Sequence, residues 1–183
     1  MNTIEQINNK TEQVMSEWKD AYGYAPDSAA KKLDMAMLDW ISDLSSCLQI
    51  WIDKTFDMTP GELILARVNL GALVECWLKF FYCVYNEDYS NNPQIRKGKK
   101  VEPNDLTLED LKIMSRGILW NQGDNTDLWV QKIQLQRNAV HAFNYRDIGT
   151  DMDFLMDLDT YTEFIQLIID RLPESPASYR SCL

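Results

Sequence analysis

The run LILARVNLGALVECWLKFFYCVY, residues 63–85, limits this chain more than any other stretch. It is the most apolar segment, yet Arg67, Asn69, Glu75 and Lys79 interrupt it. Charges at that density argue against a membrane span and for the central helix of a soluble bundle. The four residues before it form a complete helix start. Thr59 is placed to cap, Pro60 sits at the first helical position, and Glu62 closes a capping box. The spacing predicts a helix from there to about Asn86.

Around this element the chain reads as further helices with few strand signals. Helix one is expected from about Thr3 to Tyr22, burying Ile4, Ile7, Val14, Met15 and Trp18. After YGYAPDS, Asp27 or Ser28 caps a second long helix. Its inner stripe is Leu33, Met37, Trp40, Ile41, Leu44, Cys47, Leu48 and Trp51. Residues 87–105 are polar, contain two prolines, and concentrate Arg96, Lys97, Lys99 and Lys100 in one long irregular stretch. Thr107-Leu-Glu-Asp110 opens a short helix that ends near Gly117 or in the NQGDN turn. A fifth helix begins around Thr126-Asp127, and a sixth runs from about Asp151 to Leu172, where Pro173 stops it.

The expected fold is an all-α, up-and-down bundle of five to six helices in one domain, residues 1–183. Its motif-bearing part spans roughly 59–172, helices one and two pack on that part, and 173–183 form a weakly ordered tail. Seven Gly and six Pro suit this better than a turn-rich β fold.

Charge and cysteine usage narrow the function. With 28 acids against 18 bases the formal net charge is -10, so any contact with nucleic acid must be local. The cysteines, Cys47, Cys76, Cys83 and Cys182, form no C-x-x-C pair. With a single histidine no zinc set of usual spacing can be assembled, and reduced, buried thiols are the expectation. The polar N-terminus MNTIEQINNKTEQ shows no signal peptide, which points to the cytoplasm. Neither a cofactor nor a metal is expected.

The one histidine lies in QRNAVHAF, residues 136–143, four positions after Arg137. If residues 127–145 are helical, each step turns about 100°, which places Arg137 and His141 on one polar arc with Gln134 and Tyr145 near it. Asn138 stands just beyond. Leu128, Leu135, Ala139, Ala142 and Phe143 fall on the opposite arc, the expected core face, and Ile133 and Val140 border the Arg–His pair. On spacing alone, an Arg and a His on a polar helix face serve solvation and the helix dipole.

Arg137-Asn138 followed closely by His141, late in an all-α chain, resembles the signature of the HEPN superfamily (higher eukaryotes and prokaryotes nucleotide-binding). The resemblance covers roughly the last 120 residues. NLGALVECWLKFFYCVY is similar to the family's long inner helix, and RDIGTDMDFLMDLDTYTEFIQLIIDRL to the helix after the motif. Three residues separate Arg137 from His141, where the family has four or more, and Phe143 stands where some members carry a tyrosine.

The resemblance implies a metal-independent endoribonuclease that cleaves RNA by 2′-hydroxyl attack. His141 would move protons, Arg137 would hold phosphate oxygens, and Asn138 would orient one or the other. Two proton carriers are wanted and each chain has one imidazole, so a homodimer is expected, with a toxin or anti-phage role and an antitoxin or regulatory protein as a further partner. Two alternatives stand beside it: a non-catalytic RNA- or nucleotide-binding domain, and a helical protein-interaction module. The Arg96–Lys100 cluster is either an RNA foothold or a solvated loop. Glu75 and Lys79 are either a surface ion pair or partners of Arg137. Asp151, Asp153, Asp157 and Asp159 lack the EF-hand glycine and terminal glutamate and read as an acidic helix start.

Overall fold

A computed structural model describes residues 2–175. The expected weakly ordered tail and Cys182 fall largely or wholly outside that range. Side chains that satisfy the first free amides decide where the helices begin. Asn2 accepts from the Glu5 amide while Glu5 reaches back to the Asn2 amide, opening α1 (Thr3–Trp18). The long second helix of the apolar pattern is three pieces: α2 (Asp27–Met35), α3 (Leu38–Ser46) and α4 (Leu48–Asp53). Ala36 takes extended backbone (φ −82°, ψ 143°) at the first bend, where no Gly or Pro demands it. The bend brings both Leu33 and Leu38 into the core and turns Met37 and Trp40 outward, 60% and 65% exposed.

Thr59, Pro60 and Glu62 start α5 (Pro60–Val84) as expected, with both capping-box hydrogen bonds made. Leu70, Leu73, Val74, Trp77 and Leu78 on α5 are fully buried. Residues 87–105 are more regular than their composition suggests. They hold most of α6 (Asn86–Asn91) and an antiparallel hairpin, β1 (Ile95–Arg96) with β2 (Lys99–Lys100), in the register Ile95 to Lys100 and Arg96 to Lys99. Lys97 and Gly98 both have positive φ, 52° and 75°, the backbone that a two-residue hairpin turn requires. Thr107 and Asp110 box the start of α7 (Leu108–Ser115). Helices α8 (Asn125–Arg137) and α9 (Asp151–Ile169) complete the bundle. Helix α5 is packed by α2, α3 and α4 and by α8 and α9, while α1 lies on α3 and α9. The fold is all-α, and no helix of the described residues is long and apolar enough to cross a membrane.

Burying α5 so thoroughly also buries Arg67, which is 1% exposed. An isolated charge there would be very costly, so it must be paired. Its Nη1 donates to Asp157 Oδ2 at 2.5 Å, its Nε donates to the Ile148 carbonyl at 3.0 Å, and its guanidinium carbon stands 5.4 Å from the centre of the Phe154 ring. Asp157 also accepts from the Trp129 indole at 2.9 Å and from Lys132. One carboxylate thus ties α5, α8 and α9 together. The other acids of the run have separate tasks: Asp153 boxes Thr150, Asp159 accepts from the Thr3 hydroxyl, and Asp151 accepts from the Met58 amide.

Two outcomes follow from this packing. Asp157→Ala strands a buried guanidinium and should lower the urea-unfolding free energy by about 3–5 kcal/mol; a loss within experimental error of zero would refute the role given to the pair. Hydrogen bonds from Lys54 and from Thr59 lower the Glu62 carboxyl from 4.5 to about 2. A carboxyl so depressed contributes stability that is full above 4.5 and fades as pH falls toward 2. Thermal melts of wild type and Glu62→Gln should therefore differ near neutral pH and converge as pH falls through that window.

Candidate functional site

The floor of the site is set by how α8 is anchored. Asp124 caps its first turn, and the buried Asp127 collects Arg116 through Nε at 2.9 Å and Nη2 at 3.1 Å, the Trp120 indole at 3.2 Å and the Gly123 amide at 2.9 Å. The hydrogen bonds from Arg116 hold this carboxyl below its usual range despite burial. The loop before α8 is thereby fastened to its first turn, and Trp129 is aimed at Asp157.

Further along, α8 crosses α5 at Gly71. A Cβ added there would lie 2.6, 2.8 and 2.9 Å from Cβ, Cδ and Cγ of Arg137. Such distances leave no room for a methyl group, so the missing side chain is what lets the Arg137 stem lie across α5. Its guanidinium emerges beside Glu75, with Nη1 2.5 Å from Oε2, and the other oxygen of Glu75 takes Lys79 at 2.9 Å. The cations are about a third exposed, Arg137 at 31% and Lys79 at 27%, against 16% for the carboxylate between them. Glu75, Lys79, Gln134, Arg137 and Asn138 share one open pocket of about 400 Å³, walled on the far side by residues 105–109.

Two cations around Glu75 leave one surplus positive charge. Glu109, on the wall, is balanced by Lys112 at 2.9 Å, whose hydrogen bond is the main reason its carboxyl is lowered. Asp105 also lines the pocket, so its charge offsets that surplus. The pocket as a whole is near neutral, with its positive charge gathered on the Arg137 side. Among the described residues, no group of three or more His, Cys, Asp or Glu could hold a metal ion.

The motif departs from the helical reading at three points. Helix α8 ends at Arg137 and tightens into a 3-10 turn, Asn138–Val140. His141 follows with φ −86°, ψ 77°, exposed and outside the pocket lining, so it does not share a helix face with Arg137. Tyr145 is 90% exposed and also outside. The reason is the return path. Arg67 holds the Ile148 carbonyl, and a helix continued through eight more residues would carry the chain about 12 Å further along α8.

The core face was also misplaced. Leu128, Leu135 and Phe143 are 54%, 45% and 103% exposed, Ala142 is exposed too, and of that arc only Ala139 is buried. Trp129, Val130, Ile133 and Gln136 face inward instead, because the Trp129 indole must reach Asp157. In the basic cluster, Arg96 is paired with Asp110 at 2.7 Å, and Lys100 donates to the Ser90 hydroxyl at 2.9 Å near Glu102. Lys97 and Lys99 stand exposed.

The Arg67–Asp157–Trp129 network and the Asp127 anchor escaped the sequence reading. A lone arginine in an otherwise apolar helix was the available signal, since it requires a carboxylate somewhere. The cysteines Cys47, Cys76 and Cys83 are free thiols; burial raises Cys76 above its ordinary range and Cys83 to about 11. Comparison with known proteins found no matching family model, curated protein or solved structure.

Gly71→Ala forces a methyl group into the Arg137 stem, a case of overpacking that costs about 1–3 kcal/mol. The variant should melt at lower temperature, and the Arg137–Glu75 contact should be displaced in its crystal structure. A melt and a contact identical to wild type would contradict the close approach.

Proposed function

We propose that the chain is a HEPN-like, metal-independent endoribonuclease that works as a homodimer. The observation that carries this reading is the partly exposed Arg137 fork. Glu75 grips it from beneath, and Asn138 stands beside it at the edge of an open pocket. A planar fork so placed suits the oxygens of a phosphodiester. In the proposed reaction an imidazole takes the proton of a ribose 2′-hydroxyl as its oxygen bonds to phosphorus. The bond to the 5′-oxygen breaks, and a second imidazolium protonates that leaving group. The products are a 2′,3′-cyclic phosphate end and a 5′-hydroxyl.

A second imidazole needs a second chain. The surface around His141 favours one, because Val140, Phe143 and Tyr145 are 51%, 103% and 90% exposed. These three exposed side chains within six residues of chain offer a partner apolar surface to cover. A partner covering them would bring its own His141 to the same edge. The setting that accompanies this reading is a toxin or anti-phage effector restrained by an antitoxin or regulatory protein. A second reading, an RNA- or nucleotide-binding domain that does not cut, is favoured by the position of His141 outside the pocket lining.

Purified protein incubated with mixed RNA in EDTA should yield 2′,3′-cyclic phosphate ends. His141→Ala should slow cleavage by about 10²- to 10⁴-fold, as loss of a general acid–base does, with an unchanged circular dichroism spectrum. Binding without cleavage by the wild type would overturn the nuclease reading in favour of the binding one. Neither binding nor cleavage would remove both.

A further inference from the structure

The bend between α2 and α3 opens a second groove, about 390 Å³ in volume, beside the Arg137 pocket. That volume is within the range of ligand sites, about 300–1,000 Å³. Its walls are apolar, with Leu33, Ile41 and Phe80 at the floor and Met35, Met37 and Trp40 around the mouth. The mouth residues are 68%, 60% and 65% exposed, although the helical pattern would have hidden Met37 and Trp40.

Among the described residues, Lys32 and Lys79 are the charged members of the lining, on a chain of net charge -10. Glu102 holds Lys32 at 2.7 Å and Glu75 holds Lys79 at 2.9 Å, and neither carboxylate lines the groove. Asn104 adds one amide. The groove therefore suits a ligand with a flat apolar body and a polar edge that the Asn104 amide can meet.

The two depressions adjoin at Lys79. Lys79 lines both, Cys76 of one follows Glu75 of the other, and Asn104 of one precedes Asp105 of the other. A phosphate held on the outward side of Arg137, in the pocket that Lys79 also lines, would leave the adjoining nucleotide toward the Trp40 groove.

We propose that this groove is the base-binding subsite for single-stranded RNA whose phosphate faces Arg137, with the base stacked on Trp40, flanked by Met35 and Met37, and the Asn104 amide meeting its polar edge. The assignment rests on the RNA-facing reading of the Arg137 pocket. An exposed indole serves this purpose because every base has a π-face, so stacking binds without demanding a sequence. The thioethers adapt to purine or pyrimidine. Lys79 acts as a point charge held at the junction, shared by the base and phosphate positions.

The test is fluorescence anisotropy of labelled oligouridylate and oligoadenylate with wild type, Trp40→Ala, Trp40→Phe and Arg137→Ala. Trp40→Ala should weaken binding about tenfold, the scale of one lost base stack. Trp40→Phe should restore most of it, and both variants should keep the wild-type circular dichroism spectrum. Equal affinity of wild type and Trp40→Ala, with Arg137→Ala weakened, would overturn the base subsite and leave the phosphate reading intact. No RNA binding by wild type would remove both. UMP is the competing arm: affinity equal to that of the oligomer would replace RNA by a free nucleotide. A Trp40→Ala change in oligomeric state with RNA affinity unaltered would assign the groove to a second copy of the chain and overturn the proposal.

Discussion

A guanidinium placed inside a bundle must bring its counter-charge with it, and Arg67 imposes that condition on the whole molecule. Helix α5 is buried along most of its length, so its one fully enclosed cation can be satisfied only by groups from neighbouring elements. Asp157 from α9 supplies the charge, the Ile148 carbonyl supplies a second acceptor, and the Phe154 ring covers the face. The same Asp157 receives the Trp129 indole from α8. Three helices thus have their rotation and depth fixed around one ion pair, which specifies arrangement more than it adds stability.

The site inherits its geometry from that arrangement. With Trp129 turned inward, α8 presents Arg137 to Gly71, whose missing side chain lets the stem lie close. Glu75, one turn beyond Gly71 on α5, then meets the guanidinium and passes its second oxygen to Lys79. The hold of Arg67 on Ile148 draws the chain back after Arg137 and strands His141 on an exposed edge. The packing of the core therefore separates arginine from histidine, and the proposed nuclease would need a second surface at that edge to bring proton transfer to a bound phosphate.

The features legible in the sequence were those decided within a few residues. Thr59-Pro60-Gly61-Glu62 and Thr107-Leu108-Glu109-Asp110 carry their cap chemistry in their own side chains, and both start helices where expected. The core positions of α1 follow from spacing alone. The bend at Ala36 has no Gly or Pro to announce it and exists because Leu33 and Leu38 must both face inward. The end of α8 was hidden for the same reason, since its cause lies seventy residues earlier at Arg67. The Lys97-Gly98 hairpin lies inside a run of charge that reads as solvated loop, although its glycine suits a left-handed turn. At the site, the Glu75–Arg137 contact was one of two open alternatives, whereas the shared face for Arg137 and His141 assumed a helix that stops too soon.

The chain holds one histidine, so its imidazole gives a single set of signals in a nuclear magnetic resonance spectrum. That makes the central claim, that the imidazole and the Glu75-held guanidinium serve one bound phosphodiester, directly measurable. Titration with an RNA analogue whose attacking 2′-hydroxyl is replaced by hydrogen keeps the complex uncut. The account predicts that the His141 ring signals shift along the same saturation curve as those of the Arg137 side chain. Saturation of the Arg137 signals with the His141 ring unmoved would contradict it and leave a phosphate-binding bundle with no proton carrier at its site.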